Sequence, residues 1–157
     1  YHYFGSRDGL VSEAQAKRYT DSIQDVFQLW DSGVRSCRSK EDFKALLVQM
    51  LDYVMRPERA HARMVRLNVL GSSYARPALR AAIIDAQEKV FDAQVTTLDY
   101  ARAQGWIRPE IDAKAVSAWH LGVVTGLTII ELGPNTVSRD EWKNIYLNAL
   151  ITTIVAP

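Results

Sequence analysis

The sequence predicts an all-α fold of six helices, and three observations carry that prediction. Apolar residues recur at three- and four-residue steps through almost every segment. No segment alternates apolar and polar residues as a half-buried strand would. Helix-start and helix-stop chemistry falls between the periodic runs, as in Ser39-Lys40-Glu41-Asp42, Gly133-Pro134 and Ser138-Arg139-Asp140-Glu141.

The first helix is predicted over 6–33, with Ser6 as its cap and Leu10, Ala14, Ile23, Phe27, Trp30 and Val34 at helical spacing. Such a helix is roughly 40 Å long at 1.5 Å per residue, deeper than one small core, so it is expected to span two packing environments. The second, over 39–55, starts on Ser39, with Asp42 standing in for the usual Glu. It carries Phe43, Leu46, Leu47, Met50, Leu51 and Val54 as a stripe. Pro57 and Pro77 suit the first turns of a third helix, 57–72, and a fourth, 77–104. Gly105 stops the fourth, and Trp106 and Ile107 are expected to pin the following loop to the core. Asp112 caps a fifth helix over 112–132, ended by Gly133-Pro134. A full capping box at Ser138 and Glu141 starts the last, over 138–156.

At 157 residues the chain fits one domain able to bury well over half its unfolded surface. Nineteen basic and 18 acidic side chains leave a formal charge of +1, which is no nucleic-acid footprint. The lone Cys37 excludes an internal disulfide framework and agrees with a reducing, cytoplasmic setting. The longest apolar stretch, near Leu121–Leu132, is broken by Gly122, Thr125, Gly126, Thr128 and Glu131, so no membrane span is expected.

Chemistry is sparse. His2, His61 and His120 are too scattered to propose a metal-ligand set. Asp85, Glu88 and Asp92 share one face of the fourth helix, but no Glu-x-x-His pair accompanies them. There is no nucleophile–base–acid pattern and no phosphate-binding glycine loop. Neither an enzyme nor a cofactor is expected.

A ligand cavity is the stronger reading. Phe27, Trp30, Met50, Tyr53, Met64, Phe91 and Trp119 are large or pliable side chains on helices that must face one another. Such a set can line an apolar cavity. Asn68, Tyr74, Gln87 and Gln94 are its candidate polar handles, because a polar group in a cavity needs a partner. The same spacing also fits plain core, and a solid helical interaction bundle without a pocket stands as the alternative.

The fifth helix is apolar on two sides. Val116, Trp119, Val123, Leu127 and Ile130 form one stripe, and Ala115, Ala118, Gly122, Gly126 and Ile129 the other. A glycine inside a helix costs about 1 kcal/mol relative to alanine. Two of them four residues apart imply close packing that offsets the loss, either within one core or between two chains.

The opening run, Tyr1 to Val11, resembles the junction in TetR-family transcriptional repressors where the recognition helix of a helix-turn-helix ends. That junction reads Tyr-x-x-Phe, a small pair, a base, an acid, a spacer and Leu. Tyr1, Phe4, Arg7, Asp8 and Leu10 fit it in order, while Gly9 stands where Glu is common. Ala101 to Pro109 resembles the family's helix stop before its last two helices, and Gly126-Leu127 sits where many members have a glycine.

The resemblance implies a ligand-responsive transcriptional repressor of two parts. Residues 1–5 would be the remnant of a helix-turn-helix domain, and 6–157 an effector-binding and dimerisation domain. The last two helices would meet their symmetry mates as a four-helix bundle through Ala118, Gly122, Gly126, Ile129, Trp142, Ile145, Tyr146 and Leu150. A small, largely apolar organic effector would sit among the first four helices. Tyr1, His2 and Tyr3 would lie at the end of the recognition helix, with Arg7 facing phosphate. Operator DNA would be a partner of the intact protein and little or none of this fragment; no membrane partner is implied.

Overall fold

The computed structural model describes residues 7–133 and 137–157, and among them every long element is an α-helix. Ser6 and Pro134, which figure in the expected caps, lie outside the described residues, as do residues 1–5. In chain order the elements are α1 (Arg7–Ser36), α2 (Lys40–Val54), a 3-10 turn (Pro57–Arg59), α3 (Ala60–Ser73), α4 (Pro77–Ala103), α5 (Ala113–Gly126), α6 (Thr128–Glu131) and α7 (Arg139–Ile154). The all-α prediction holds. The predicted third helix opens as the 3-10 turn, and the predicted fifth is divided at Leu127 into α5 and the short α6.

The caps work as the sequence chemistry requires. Ser39 Oγ accepts from Asp42 N at 3.0 Å, but the Asp42 carboxylate accepts from Arg38 N (2.9 Å) rather than closing a box on Ser39. Asp112 accepts from Ala115 N at 2.8 Å. At Ser138 both halves of the box form, with Glu141 N donating to Ser138 Oγ at 3.0 Å and Ser138 N to the Glu141 carboxylate at 3.4 Å. Gly105 takes φ +75° just past α4, a left-handed conformation that only glycine adopts without penalty.

The long α1 does serve two cores. Its middle packs Tyr19 and Ile23 with Val65, Val69, Leu79, Ile83 and Val90 of α3 and α4. Its C-terminal end packs Trp30 and Val34 against α2, α5 and α7, around Phe43, Leu51, Trp106, Leu127 and Leu150. It runs three residues past Gly33, where α1 and α2 lie close together: a Cβ there would lie 2.7 Å from Leu46 Cδ1. The loop after α4 is pinned as expected. The Trp106 ring stacks on Phe43 at 5.8 Å, and Ala156 N donates to Trp106 O and Arg108 N to Ile154 O, both at 2.9 Å.

One ionic cluster ties the ends of four elements together. Arg63 of α3, fully buried, donates to the Val54 and Arg56 carbonyls at 2.6 and 3.0 Å and pairs with Glu131 of α6. Arg139 of α7 holds the same carboxylate at 3.0 Å and the Met55 carbonyl at 2.5 Å. The α6 turn is therefore held from two sides, by α3 and by α7.

Candidate ligand cavity

Five helices meet around a cavity, each with apolar residues. Ile23, Val26, Phe27 and Trp30 come from α1, and Leu47, Met50, Leu51 and Val54 from α2. Val90, Phe91, Gln94 and Leu98 come from α4, while Val116, Ser117, His120, Leu121 and Val124 of α5 close the far wall. Leu150 and Ile154 of α7 complete it. The space open to the centre of a water-sized sphere is about 90 Å³, several times what one water needs, so a small organic molecule fits.

Polar chemistry enters this apolar shell at a few points. Arg59 is already committed: its guanidinium forks onto the Asp25 carboxylate at 2.6 and 3.0 Å, and the Tyr53 hydroxyl donates to that carboxylate at 2.8 Å. The hydrogen bond from Arg59 holds the Asp25 carboxyl below its ordinary value. Arg66 differs. It is only 4% exposed, no ion pair among the described residues includes it, and its one hydrogen bond is a long 3.4 Å contact from Nη1 to Ser22 O. Its Nε has no hydrogen-bond partner among the described residues, and neither does the buried Trp30 Nε1. Burial pushes the Arg66 guanidinium down to about 10.

His120 stands at 2.6 Å from the Tyr146 hydroxyl through Nδ1. Tyr146 is buried and its pKa is raised by that burial, so the hydroxyl keeps its proton and needs an acceptor. Donation to Nδ1 supplies one, which leaves the proton of a neutral imidazole on Nε2. Burial, and after it the charge of Arg66, holds the imidazole down to about 4. The unfolded chain therefore takes up this proton at higher pH than the folded one. Stability is expected to be complete above the ordinary histidine value and to fall, by at most about 3 kcal/mol, as pH drops from about 6.5 to about 4. Denaturant unfolding of His120→Gln should show a flatter dependence across that window; an unchanged slope contradicts the burial argument.

Of the ligand residues expected from sequence, Phe27, Trp30, Met50 and Phe91 line the cavity, and so does Gln94 among the handles. The others do not. Tyr53 stands behind Arg59 in the Asp25 cluster. Gln87 Nε2 donates to the fully buried Tyr19 hydroxyl at 3.0 Å, bridging α4 to α1. Trp119 packs edge-on against Tyr146, centroids 5.2 Å apart, and is partly exposed. Tyr74 is 83% exposed and Asn68 is exposed.

Met64 and Asn68 fall outside for a geometric reason: each is two residues from Arg66, hence about 160° away around the helix. The face of α3 turned to the protein carries Arg63, Val65, Arg66, Val69 and Ser73. The sequence signal for it was present but inverted, since two arginines on a helix default to the solvent side.

The dimer candidates divide in the same way. Ala118 and Gly122 are exposed, Ile129 is 66% and Ile145 73% exposed, and Gly126 and Trp142 are half-buried. Tyr146 and Leu150 belong to the chain's own core, a correction that follows from the His120 bond and the α7 packing. Arg7 is the first residue of α1 and exposed; Tyr1, His2 and Tyr3 lie outside the described residues.

No protein-family model matches the sequence, and no curated protein matches it. Solved structures do. A candidate TetR-family transcriptional regulator from Rhodococcus sp. superposes with a TM-score of 0.67 at 20% identity, over 98% of this chain and 78% of that one. The fold is the TetR-type fold. A candidate transcriptional regulator from Saccharomonospora viridis, in complex with choline, gives 0.63 at 20% identity over 99% and 79% of the two chains. Another, from Rhodococcus sp. RHA1, gives 0.60 at 18% identity over 95% and 74%. In TetR-type terms the cavity lies in the helical body, and α5 to α7 form one flank of it.

That flank explains a property the interrupted apolar run had concealed. The stretch Ala113–Glu131 is long and apolar enough to cross a membrane by length and composition, with a mean hydropathy of 1.3, yet little of it is buried within the chain. Its inner side carries Val116, Ser117, His120 and Val124 to the cavity, and its outer side carries Ala115, Ala118, Trp119 and Gly122 to solvent.

Proposed function

We propose that this chain is the ligand-sensing and dimerising body of a transcriptional regulator, of repressor type, rather than an enzyme. The cavity carries the reading: an apolar chamber with few polar groups binds small molecules, and nothing in its wall is arranged as a nucleophile with its base. A choline complex of one structural neighbour supports a small-molecule site in this fold. Because α1 contributes Ile23, Val26, Phe27 and Trp30 to the wall and extends back to Arg7, movement of the wall is carried along a rod of about 45 Å. In this reading the resemblance of Tyr1 to Leu10 supports a DNA-reading part at that end of the intact protein, with Arg7 on phosphate, operator DNA as partner and a cytoplasmic setting.

The dimer in this reading uses the outer face of α5, α6 and α7. Ile129, Leu132 and Ile145 are large apolar side chains exposed on α5 to α7 and just past α6, as is Trp119, and exposed apolar side chains on these elements are what a second chain would cover. A Cβ at Gly122 would meet nothing within 4 Å, so packing inside the chain does not account for a glycine there. Close approach of a second chain does. Sedimentation at micromolar concentration should give a two-chain mass, and the cavity should take up a neutral compound such as hexanamide saturably. A single-chain mass contradicts the dimer, and failure of hexanamide and of its charged analogues alike to bind contradicts the sensing role.

A further inference from the structure

We propose that the ligand of this cavity is an organic monoanion, a carboxylate on a short apolar body, with Arg66 receiving the carboxylate. The inference rests on the sensing role just proposed and names the class of molecule sensed. Three observations carry it.

Arg66 is a buried cation lining an apolar chamber, and no carboxylate among the described residues pairs with it. Isolated buried charges are costly, and native proteins pair them. The other two arginines of this region follow that rule, Arg59 on Asp25 and Arg63 on Glu131. The buried Nε of Arg66 has no hydrogen-bond partner among the described residues. A guanidinium with free donors matches a carboxylate's two oxygens.

The count of charges fixes the ligand's charge. Arg59 is neutralised by Asp25, and His120 is held neutral beside the Tyr146 hydroxyl. One net positive charge remains in the wall, which offsets a carboxylate fully but a phosphate monoester dianion only in part. The remaining polar groups, Gln94, Ser117 and His120 (its Nε2 proton left over from the Tyr146 bond), supply neutral hydrogen bonds, and a quaternary ammonium would meet Arg66 as a like charge.

The test compares hexanoate, hexanamide and hexyltrimethylammonium by calorimetry at pH 7.5 on the whole chain. Hexanoate should bind roughly 10- to 100-fold more tightly than hexanamide, the range expected for a hydrogen bond to a charged group against a neutral one. Arg66→Met should abolish that preference while hexanamide still binds. Equal affinities for hexanoate and hexanamide, or tighter binding of the ammonium compound, overturn the carboxylate assignment and leave the sensing role standing. Failure of all three to bind overturns both. Should Arg66→Met not fold, the comparison on the unaltered chain decides alone.

Discussion

Glu131→Leu is expected to lower the unfolding free energy by about 3–5 kcal/mol, the cost of leaving a buried charge without its partner. The carboxylate is almost wholly buried and serves two guanidinium groups at once, Arg63 from α3 and Arg139 from α7. Arg63 is fully buried, so water cannot take the carboxylate's place. Its remaining donors already serve the Val54 and Arg56 carbonyls, which hold the turn between α2 and α3. The loss should therefore spread to that turn and to the α6 break. The double variant Arg63→Met with Glu131→Leu should recover only part of the stability: the unpaired buried charge is gone, but the Val54 and Arg56 carbonyls lose their donor and Arg139 its carboxylate. Denaturant unfolding at one fixed protein concentration measures both, since dimerisation adds to apparent stability. A loss below about 1 kcal/mol for the single variant would mean that the cluster is not structural.

Ile145→Glu should turn a two-chain species into single chains, weakening association by more than about a hundredfold. A two-fold interface repeats each substitution, so two carboxylates would be set against an apolar face or against each other. Ile145 is 73% exposed, so the fold of the single chain should hold within about 0.5 kcal/mol. Ile84→Glu, on α4 and also exposed, is the control and should leave association unchanged. A dimer that survives Ile145→Glu intact would remove the outer face of α5 to α7 from the interface.

How much of this was legible in the sequence differs between the frame and the site. Ser39, Asp112 and Ser138 start helices where their side chains can reach a backbone N–H two or three residues on, and this local chemistry reads directly from spacing. Phe27, Trp30, Met50 and Phe91 were legible as wall residues because large apolar groups at helical spacing on facing helices converge. Arg66 and His120 were not. Their place depends on which side of α3 and α5 meets α1, a tertiary fact that a polar residue's own preference argues against. The division at Leu127 was hidden for a similar reason. The segment after it is held by the Arg63–Glu131 pair, whose partners are 68 residues apart. Tyr146 and Leu150 read as outward-facing because α7 has apolar residues on more than one side, and only the His120 bond shows which side faces inward.

The central claim is that the chamber between α1, α2, α4 and α5 is where a small molecule binds, and the chain's three methionines test it most directly. Met50 lines the cavity, Met55 is buried outside it, and Met64 lies on the opposite side of α3 from Arg66. With the methionine methyl groups isotopically labelled, titration with hexanamide and then hexanoate, followed by NMR, should shift the Met50 resonance saturably with each compound. Met55 and Met64 should move far less. A Met50 signal that stays fixed at saturating ligand, or a Met64 signal that moves as far, would contradict it.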